Sequence, residues 1–343
     1  MKKAKTTFWK GKKVLVTGGA GFIGSHLVKR LVLDGAKVQV IDNLWRGSLD
    51  NLVAADGCNV IDLERDFHKA DLIKYDKCLE LIRDVDYVYH LADVVGGVQF
   101  AFNNEAFVFR QNILINTNVL SACVANSIAN YIYVGTACSY PKHLQMAPGI
   151  VSLRESQTYP AEPESSYGWS KLMGEYEAGL VQASGNINIG LLRLHNAYGP
   201  GMIYENDNAQ VLPSLIRKAI QYPKEPFIVW GSGSQYRDFL YIDDIVEGLL
   251  LVAERGMNAG VIQVGSGKAT TIKDAAEMII KISGKPIGAT FDTGKPEGDR
   301  GRIAVCDRAR DILGWQSTVD IETGLRRTYN WVHERIMSHD KKR

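Results

Sequence analysis

Cysteine is scarce in this sequence: five residues among 343, at positions 58, 78, 123, 138 and 306. They are scattered and odd in number, and no CxxC pair or Cys/His cluster occurs. That pattern excludes a disulfide framework and a zinc site, so no metal is expected and a reducing compartment, the cytoplasm, is the expected setting. Long apolar runs are also missing. None approaches the roughly 20 residues of a membrane span, and no apolar segment of a signal peptide precedes Gly11. Charge of one sign is lacking too. Forty Lys and Arg against 38 Asp and Glu leave a net +2, too balanced to point to nucleic acid or an anionic membrane. The surplus lysines sit partly in the end segments MKKAK and DKKR, which read as solvated tails. No internal repeat or low-complexity stretch is present.

What remains is 45% apolar and 23% charged residues, ordinary for a soluble globular chain. Its length suits one large or two modest domains. KKVLVTG, AKVQVID, VDYVYHLA, NYIYVGT and NIGLLRL read as strands buried on both faces. SHLVKRLVLDG and NILINTNVLSACVANSI carry apolar residues at helical spacing between them, and Gly35 stops the first of these helices. This alternation predicts an α/β fold, a doubly wound parallel sheet covered on both faces. Beyond residue 196 the texture changes. VLPSLIRKAI, TIKDAAEMIIKISG (ended by Gly284), RARDILGW and ETGLRRTYNWVHERI read as helices. FIVWG, QYRDFLYI and GVIQVG read as strands. The expected division is a dinucleotide-binding domain of residues 1–195 plus about 236–268. A smaller substrate-binding lobe takes about 196–235 and 269–343.

Val14-Leu-Val-Thr-Gly-Gly-Ala-Gly-Phe-Ile-Gly24 is a strand, a glycine turn and a helix start. Gly18, Gly21 and Gly24 sit at GxxGxxG spacing, with Phe22 and Ile23 opening the helix. Such a turn lets a pyrophosphate approach the backbone at a helix N-terminus. The next strand ends in Asp42, followed by Asn43. A carboxylate there accepts from a ribose and repels a 2′-phosphate, which favours NAD over NADP. Asp71 and Leu72 are placed near the adenine, although Asp71 also suits a helix cap. Leu91 and Ala92, at the end of VDYVYHLA, face the same cleft, whereas His90 reads as a packed strand residue.

Glu162-Pro-Glu-Ser-Ser-Tyr167-Gly-Trp-Ser-Lys171 opens a helix. Tyr167 and Lys171 are four apart and share one face. An ammonium and a positive nicotinamide lower a nearby phenol's pKa, so the pair suits deprotonation of a sugar hydroxyl. Thr136, at a strand end, is placed to hydrogen-bond the same oxygen. YxxxK pairs are more often structural, and the glycine turn upstream is what raises this one above them.

These residues resemble the extended short-chain dehydrogenase/reductases that act on nucleotide sugars. The resemblance runs from about Lys12 to Trp331, through TGGAGFIG, HLA, GTACSYP, YGWSK, RLHNAYGP, QYRDFLYIDD and GDRGR. It implies a Rossmann fold, NAD, a nucleotide-diphosphate sugar as substrate and a homodimer built on the helix carrying Tyr167. It also implies that Thr136, Tyr167 and Lys171 are catalytic. Asn196 and Arg237 would contact sugar and diphosphate, with Arg302, or alternatively Arg300, as a second diphosphate arginine. Read alone, Asn196 suits a turn cap and the arginines surface ion pairs.

Within the family, Val95-Gly96-Gly97-Val98, Ala137-Cys-Ser-Tyr-Pro141, Tyr159-Pro-Ala-Glu-Pro163 and His195-Asn-Ala-Tyr-Gly-Pro200 are similar to the GDP-mannose 3,5-epimerase and GDP-L-fucose synthase branches. By that similarity Gly96, Gly97 and Gln210 line the substrate, and Cys138 is a base that removes a proton beside a C4 ketone. Such a thiol should be partly exposed and near positive charge. A 4,6-dehydratase would carry an acidic pair where this chain has Ala137 and Cys138. Inversion also needs an acid, His or Lys in those branches, where this chain has Gln210 and Val211. Asp207, His143 or a water are the substitutes. Two activities follow: epimerisation with a working Cys138, or C4-only redox chemistry with Cys138 idle. A non-catalytic nucleotide sensor would have no need of Tyr167 and Lys171.

Overall fold

The structure is a computed structural model that describes residues 7–145, 149–205, 209–295 and 300–340. Seven strands form its central sheet: β1 Lys13–Thr17, β2 Lys37–Asp42, β3 Phe67–Lys69, β4 Tyr87–His90, β5 Asn130–Thr136, β6 Asn188–Leu194 and β7 Val261–Val264. They lie in the order β7-β6-β5-β4-β1-β2-β3, and every neighbouring pair is parallel. Parallel neighbours require crossovers, and these bury both faces. Strand alternation sorts the side chains. Val14 and Val16 enter one core with helices α1 (Phe22–Leu33) and α5 (Ile242–Arg255). Leu15, between them, enters the other, with α2 (Glu105–Ala125) and α3 (Ser166–Ala183).

All five strands expected in the first half are present. The short strand β3 has no matching apolar run, because its sequence, Phe-His-Lys, pairs only at the sheet edge. GVIQVG joins the main sheet as β7. QYRDFLYI, read as one strand, is two. Tyr236–Arg237 pairs with Thr270–Thr271, and Phe239–Tyr241 pairs with Asn196–Tyr198. Buried Asp238 makes the break. Its carboxylate accepts from the backbone nitrogens of Ser266 (2.6 Å), Gly267 (3.1 Å) and Ala304 (2.8 Å), and from Ser266 Oγ (2.7 Å).

Helices α4 (Val211–Gln221), α6 (Ile272–Ser283) and α7 (Ile321–Asp340) pack on one another. Thr271 and Asp274 cap the start of α6 reciprocally, and Gly284 ends it at φ +66°. RARDILGW makes a single wide helical turn over Ala309–Leu313, stopped by Gly314 at φ +67°. Trp315 then anchors the chain by donating from Nε1 to the Asp244 carbonyl at 2.9 Å. Among the described residues, no helix is long and apolar enough to cross a membrane.

Candidate active site

The strand order reverses beside β1, where β1 lies next to both β2 and β4. At such a switch point the loops leaving the C-terminal strand ends part and leave a crevice. Here the crevice is a cleft of about 1370 Å³, beyond the roughly 300–1,000 Å³ of a site for one small ligand.

The glycine turn forms one end. Gly18 has φ +68°, and a Cβ there would lie 2.8 Å from the Ala92 nitrogen. A Cβ on Gly24 would lie 2.2 Å from the Gly18 carbonyl oxygen. Only glycines let this turn press against the loop after β4 and the start of α1. That start, from Gly21 through Phe22, Ile23 and Gly24, lines the cleft. It has no side-chain cap and no acid in its first turn, so its amide N–H groups suit an anionic diphosphate.

Asp42 and Asn43 line the same end. Asp42 already accepts from Ala20 N at 3.0 Å and Leu44 N at 2.8 Å. Its carboxylate therefore shapes the glycine turn besides facing the cleft. Burial pushes its pKa up, against those two bonds. Asp71 accepts from Ile73 N at 3.2 Å, a turn bond rather than a helix cap, since the helix over Tyr75–Leu81 begins after Lys74 without a side-chain cap, and Asp71 lines the cleft together with Leu72. Leu91 and Ala92 line the floor, their nitrogens donating to Thr17 Oγ1 at 3.2 Å each. His90 is a packed residue, as expected. It is bonded to Thr17 Oγ1 (2.8 Å) and Asn116 Oδ1 (3.0 Å), and burial pushes its pKa down to about 3. These surroundings fit the diphosphate, ribose and adenine of a dinucleotide.

Tyr167 and Lys171 reach the middle of the cleft from α3. Ser165 caps that helix by accepting from Gly168 N at 3.2 Å. A Cβ on Gly168 would lie 2.3 Å from the Cys138 carbonyl oxygen. This glycine is what lets the helix start sit against the turn holding Thr136 and Cys138. The Tyr167 phenol has Thr136 and Asp93 beside it. An ammonium and a positive nicotinamide together are expected to lower the phenol's pKa; the protein's own groups, without the nicotinamide, leave it raised. Burial first, then the charge of Asp93 and Cys138, push it well up, with the Thr136 hydroxyl opposing. The Lys171 ammonium is taken instead by Asp93 Oδ2 at 3.3 Å and lies over the Tyr133 ring.

Cys138 follows β5 in a short turn whose nitrogen donates to Thr136 Oγ1 at 3.3 Å. It is half-buried, and Arg302 Nη2 donates to its Sγ at 3.6 Å. Both expected features of a working thiol's surroundings, partial exposure and a nearby cation, are present. Arg302 is thus buried at the reacting end of the cleft and lines it, whereas Arg300 is exposed and does not. Arg237 lines the cleft as well, bonded through Nη1 to the Tyr236 carbonyl at 2.7 Å. Asn196 lines it with a buried Oδ1 that makes no hydrogen bond, a side chain suited to a sugar hydroxyl rather than to a turn cap.

Gly96 and Gly97 lie in the wall, Gly97 at the start of a short helix over Val98–Asn103. Gln210 is the N-cap of α4 and, with Val211, faces the cleft. His143 does not reach it. That ring is exposed, 3.9 Å from Glu162. Asp207 lies outside the described residues. The sequence reading gives no role to several cleft residues, among them Asp93, Arg46 and His195. Arg46 donates to the Val95 carbonyl and has Tyr167 as a charge neighbour. His195 sits behind Asn196 with Nε2 bonded to Gln263 Oε1 at 3.1 Å, and burial lowers its pKa. Among the described residues, no cluster of His, Cys, Asp and Glu could hold a metal ion.

The model of the NAD dependent epimerase/dehydratase family matches residues 14–265. GDP-mannose 3,5-epimerase 1 of Oryza sativa subsp. indica is 32% identical over 331 residues, covering 96% of this chain and 84% of that protein. Among solved structures, UDP-N-acetylglucosamine 4-epimerase from Methanobrevibacter ruminantium, in complex with UDP-N-acetylmuramic acid, is similar at a TM-score of 0.84. It is 30% identical and covers 95% of this chain and 99% of its own. UDP-glucose 4-epimerase from Thermotoga maritima, with UDP-glucose, is similar at 0.83. It is 26% identical and covers 94% and 99%. With a glycine turn that fits a diphosphate, and a Tyr, Lys and Thr gathered in one cleft, the chain belongs to the NAD dependent epimerase/dehydratase family and takes NAD as its cofactor.

Proposed function

We propose that this enzyme epimerises a nucleotide sugar through a transient 4-keto intermediate, on a GDP-hexose or GDP-heptose, in the manner of a GDP-mannose 3,5-epimerase. The observation that carries the proposal is the half-buried Cys138 thiol, with the Arg302 guanidinium at 3.6 Å, on the same turn as Thr136. NAD, when bound, supplies the chemistry of taking a hydride from C4 and giving it back. Tyr167, with Thr136, takes the C4 hydroxyl proton and later returns it. The ketone acidifies the hydrogens at C3 and C5; Cys138, as thiolate, removes one, a water on the opposite face returns one to the same carbon, and the centre inverts. Asn196 and Arg237 hold the sugar and diphosphate.

The second reading is C4-only redox chemistry: a 4-epimerase, C4 dehydrogenase or 4-ketoreductase with Cys138 idle. Gln210 and Val211 favour it. They occupy the start of α4 and face the cleft, and neither side chain can hand a proton to carbon.

A proton NMR time course in D2O with GDP-mannose, then UDP-glucose and dTDP-4-keto sugars, separates the two. Deuterium entering at C3 or C5 supports the working thiol. Change at C4 without exchange supports the second reading. Silence on every sugar overturns both.

A homodimer through α2 and α3 is part of the same proposal. These helices pack together and leave Phe107, Leu114, Met173, Tyr176 and Leu180 exposed, apolar side chains that a second copy of the chain would cover. Leu180→Glu is expected to shift the mass measured by light scattering from two chains to one. A wild-type protein of one-chain mass at micromolar concentration would overturn it. Five free cysteines suit the reducing cytoplasm.

A further inference from the structure

Asp93 carries charge in the cleft and has no part in the chemistry above. It follows β4 directly, and its position is built. Asn112 on α2 accepts from Val94 N at 2.7 Å and donates to the Val94 carbonyl at 3.1 Å. The same amide reaches Ser170 Oγ at 3.4 Å, one residue before Lys171. The carboxylate is thereby held against the catalytic helix. Its side chain and that of Lys171 are 9% and 4% exposed, with the ion pair at 3.3 Å. Its other oxygen, Oδ1, is sealed from solvent. The Tyr167 phenol lies beside it.

The chemistry follows from this placement. A buried anion next to a phenol opposes phenolate, and the one ammonium at hand is already matched to that anion. We propose that Asp93 is a positioning residue of the reaction centre, which engages Lys171 and keeps Tyr167 in its proton-holding form until further positive charge is brought to the phenol. Tyr167 then stands by default as the acid that returns a proton to the sugar oxygen. It becomes the base that removes one only when positive charge beyond that of Arg46 comes beside it, and the oxidised nicotinamide is such a charge. The proton is conserved throughout, passing from the sugar hydroxyl to the phenolate and back. The other groups facing the phenol and the carboxylate are Cys138 and Tyr133 from β5 and its turn, neutral His90 from β4, and Arg46 from the loop after β2. Arg46 is the cation among these; it also donates to the Val95 carbonyl, and at the phenol its charge is outweighed by burial and Asp93. Burial comes first among the causes that hold the Tyr167 pKa up, and the Asp93 charge comes next.

The proposal rests on Tyr167 as the acid and base, and its test needs neither substrate nor turnover. Protein labelled with 13C at tyrosine Cζ is titrated, and the Tyr167 resonance is identified by its loss in Tyr167→Phe. The wild-type midpoint is expected above the ordinary value of about 10. Asp93→Asn and Asp93→Ala are expected to lower it by roughly one unit or more, with the other tyrosine resonances in place as the check on folding. Saturating NAD is expected to lower the wild-type midpoint. In protein freed of NAD, a wild-type midpoint at or below about 10 overturns the proposal without any variant, and so does a midpoint that neither Asp93 variant moves. If Tyr167→Phe keeps full turnover while the Asp93 variants shift the resonance as expected, the proposed role of Tyr167 falls and the coupling stands.

Discussion

The Tyr167 phenol and the Cys138 thiol divide the proposed chemistry between oxygen and carbon, and each can be removed alone. Tyr167→Phe keeps the ring and its packing but deletes the proton carrier. It is expected to lower C4 oxidation, followed at 340 nm, by about 10²–10⁴-fold, while NAD affinity measured by calorimetry stays within about threefold. Unchanged turnover would exclude Tyr167 from the reaction. Cys138→Ser exchanges a thiol for a weakly acidic hydroxyl of similar size. It is expected to stop deuterium exchange at C3 and C5 and to leave C4 oxidation within a fewfold of wild type. Persistent exchange would make Cys138 a packing residue. Both side chains are legible from short motifs, YGWSK and GTACSY, because motif spacing on one helix or one turn fixes who stands beside whom. Asp93 is not legible in this way. Its partner Lys171 lies 78 residues further on, and nothing local in HLAD marks the aspartate as buried against a lysine.

At the scale of elements, the site depends on how closely α3 approaches the Cys138 turn. Gly168→Ala places a methyl 2.3 Å from the Cys138 carbonyl oxygen and 3.0 Å from Pro163 Cβ. Both are fixed atoms, so the helix start or the turn must move. The variant is expected to lose about 1–3 kcal/mol of stability to urea and at least tenfold in turnover, with NAD affinity less affected because the glycine turn is elsewhere. Wild-type stability would show that the two segments can part at no cost. Strands and helices of the first half read directly from periodicity, since each is buried on two faces or one. The two short strands around Asp238 do not. Their partners, Asn196–Tyr198 and Thr270–Thr271, are distant in sequence, and a buried aspartate in the middle of a β-like run looks the same as an exposed one.

For the whole molecule, acid stability carries a signature of the buried polar core. His90 is expected to hold a neutral ring when folded, its pKa down at about 3, whereas the unfolded chain's imidazole takes up a proton near 6.5. Its contribution is therefore fully present above about pH 6.5 and is lost as pH falls toward 3, with a slope approaching about 1.4 kcal/mol per pH unit. Burial lowers His26 and His195 in the same direction, and it raises Asp42 and Asp93 in the opposite one. The difference between wild type and His90→Gln isolates the site. Urea midpoints from pH 7 to 4.5 should fall less steeply in the variant, and parallel curves would mean that His90 is charged in the folded protein.

The sequence by itself determined the α/β class, the glycine turn, NAD, and the Thr136, Tyr167 and Lys171 set, because each is written in local spacing that a strand end or a helix turn converts into geometry. It also determined what the site lacks, a proton donor at Gln210 and Val211. Only the tertiary structure decided that Arg302 rather than Arg300 enters the cleft, that His143 stays outside it, and that Asp93 is placed against the Lys171 ammonium. Those outcomes depend on which distant segments share a buried space. Burial and charge there act over a few ångströms between residues far apart in the chain, and so leave no trace in its periodicity.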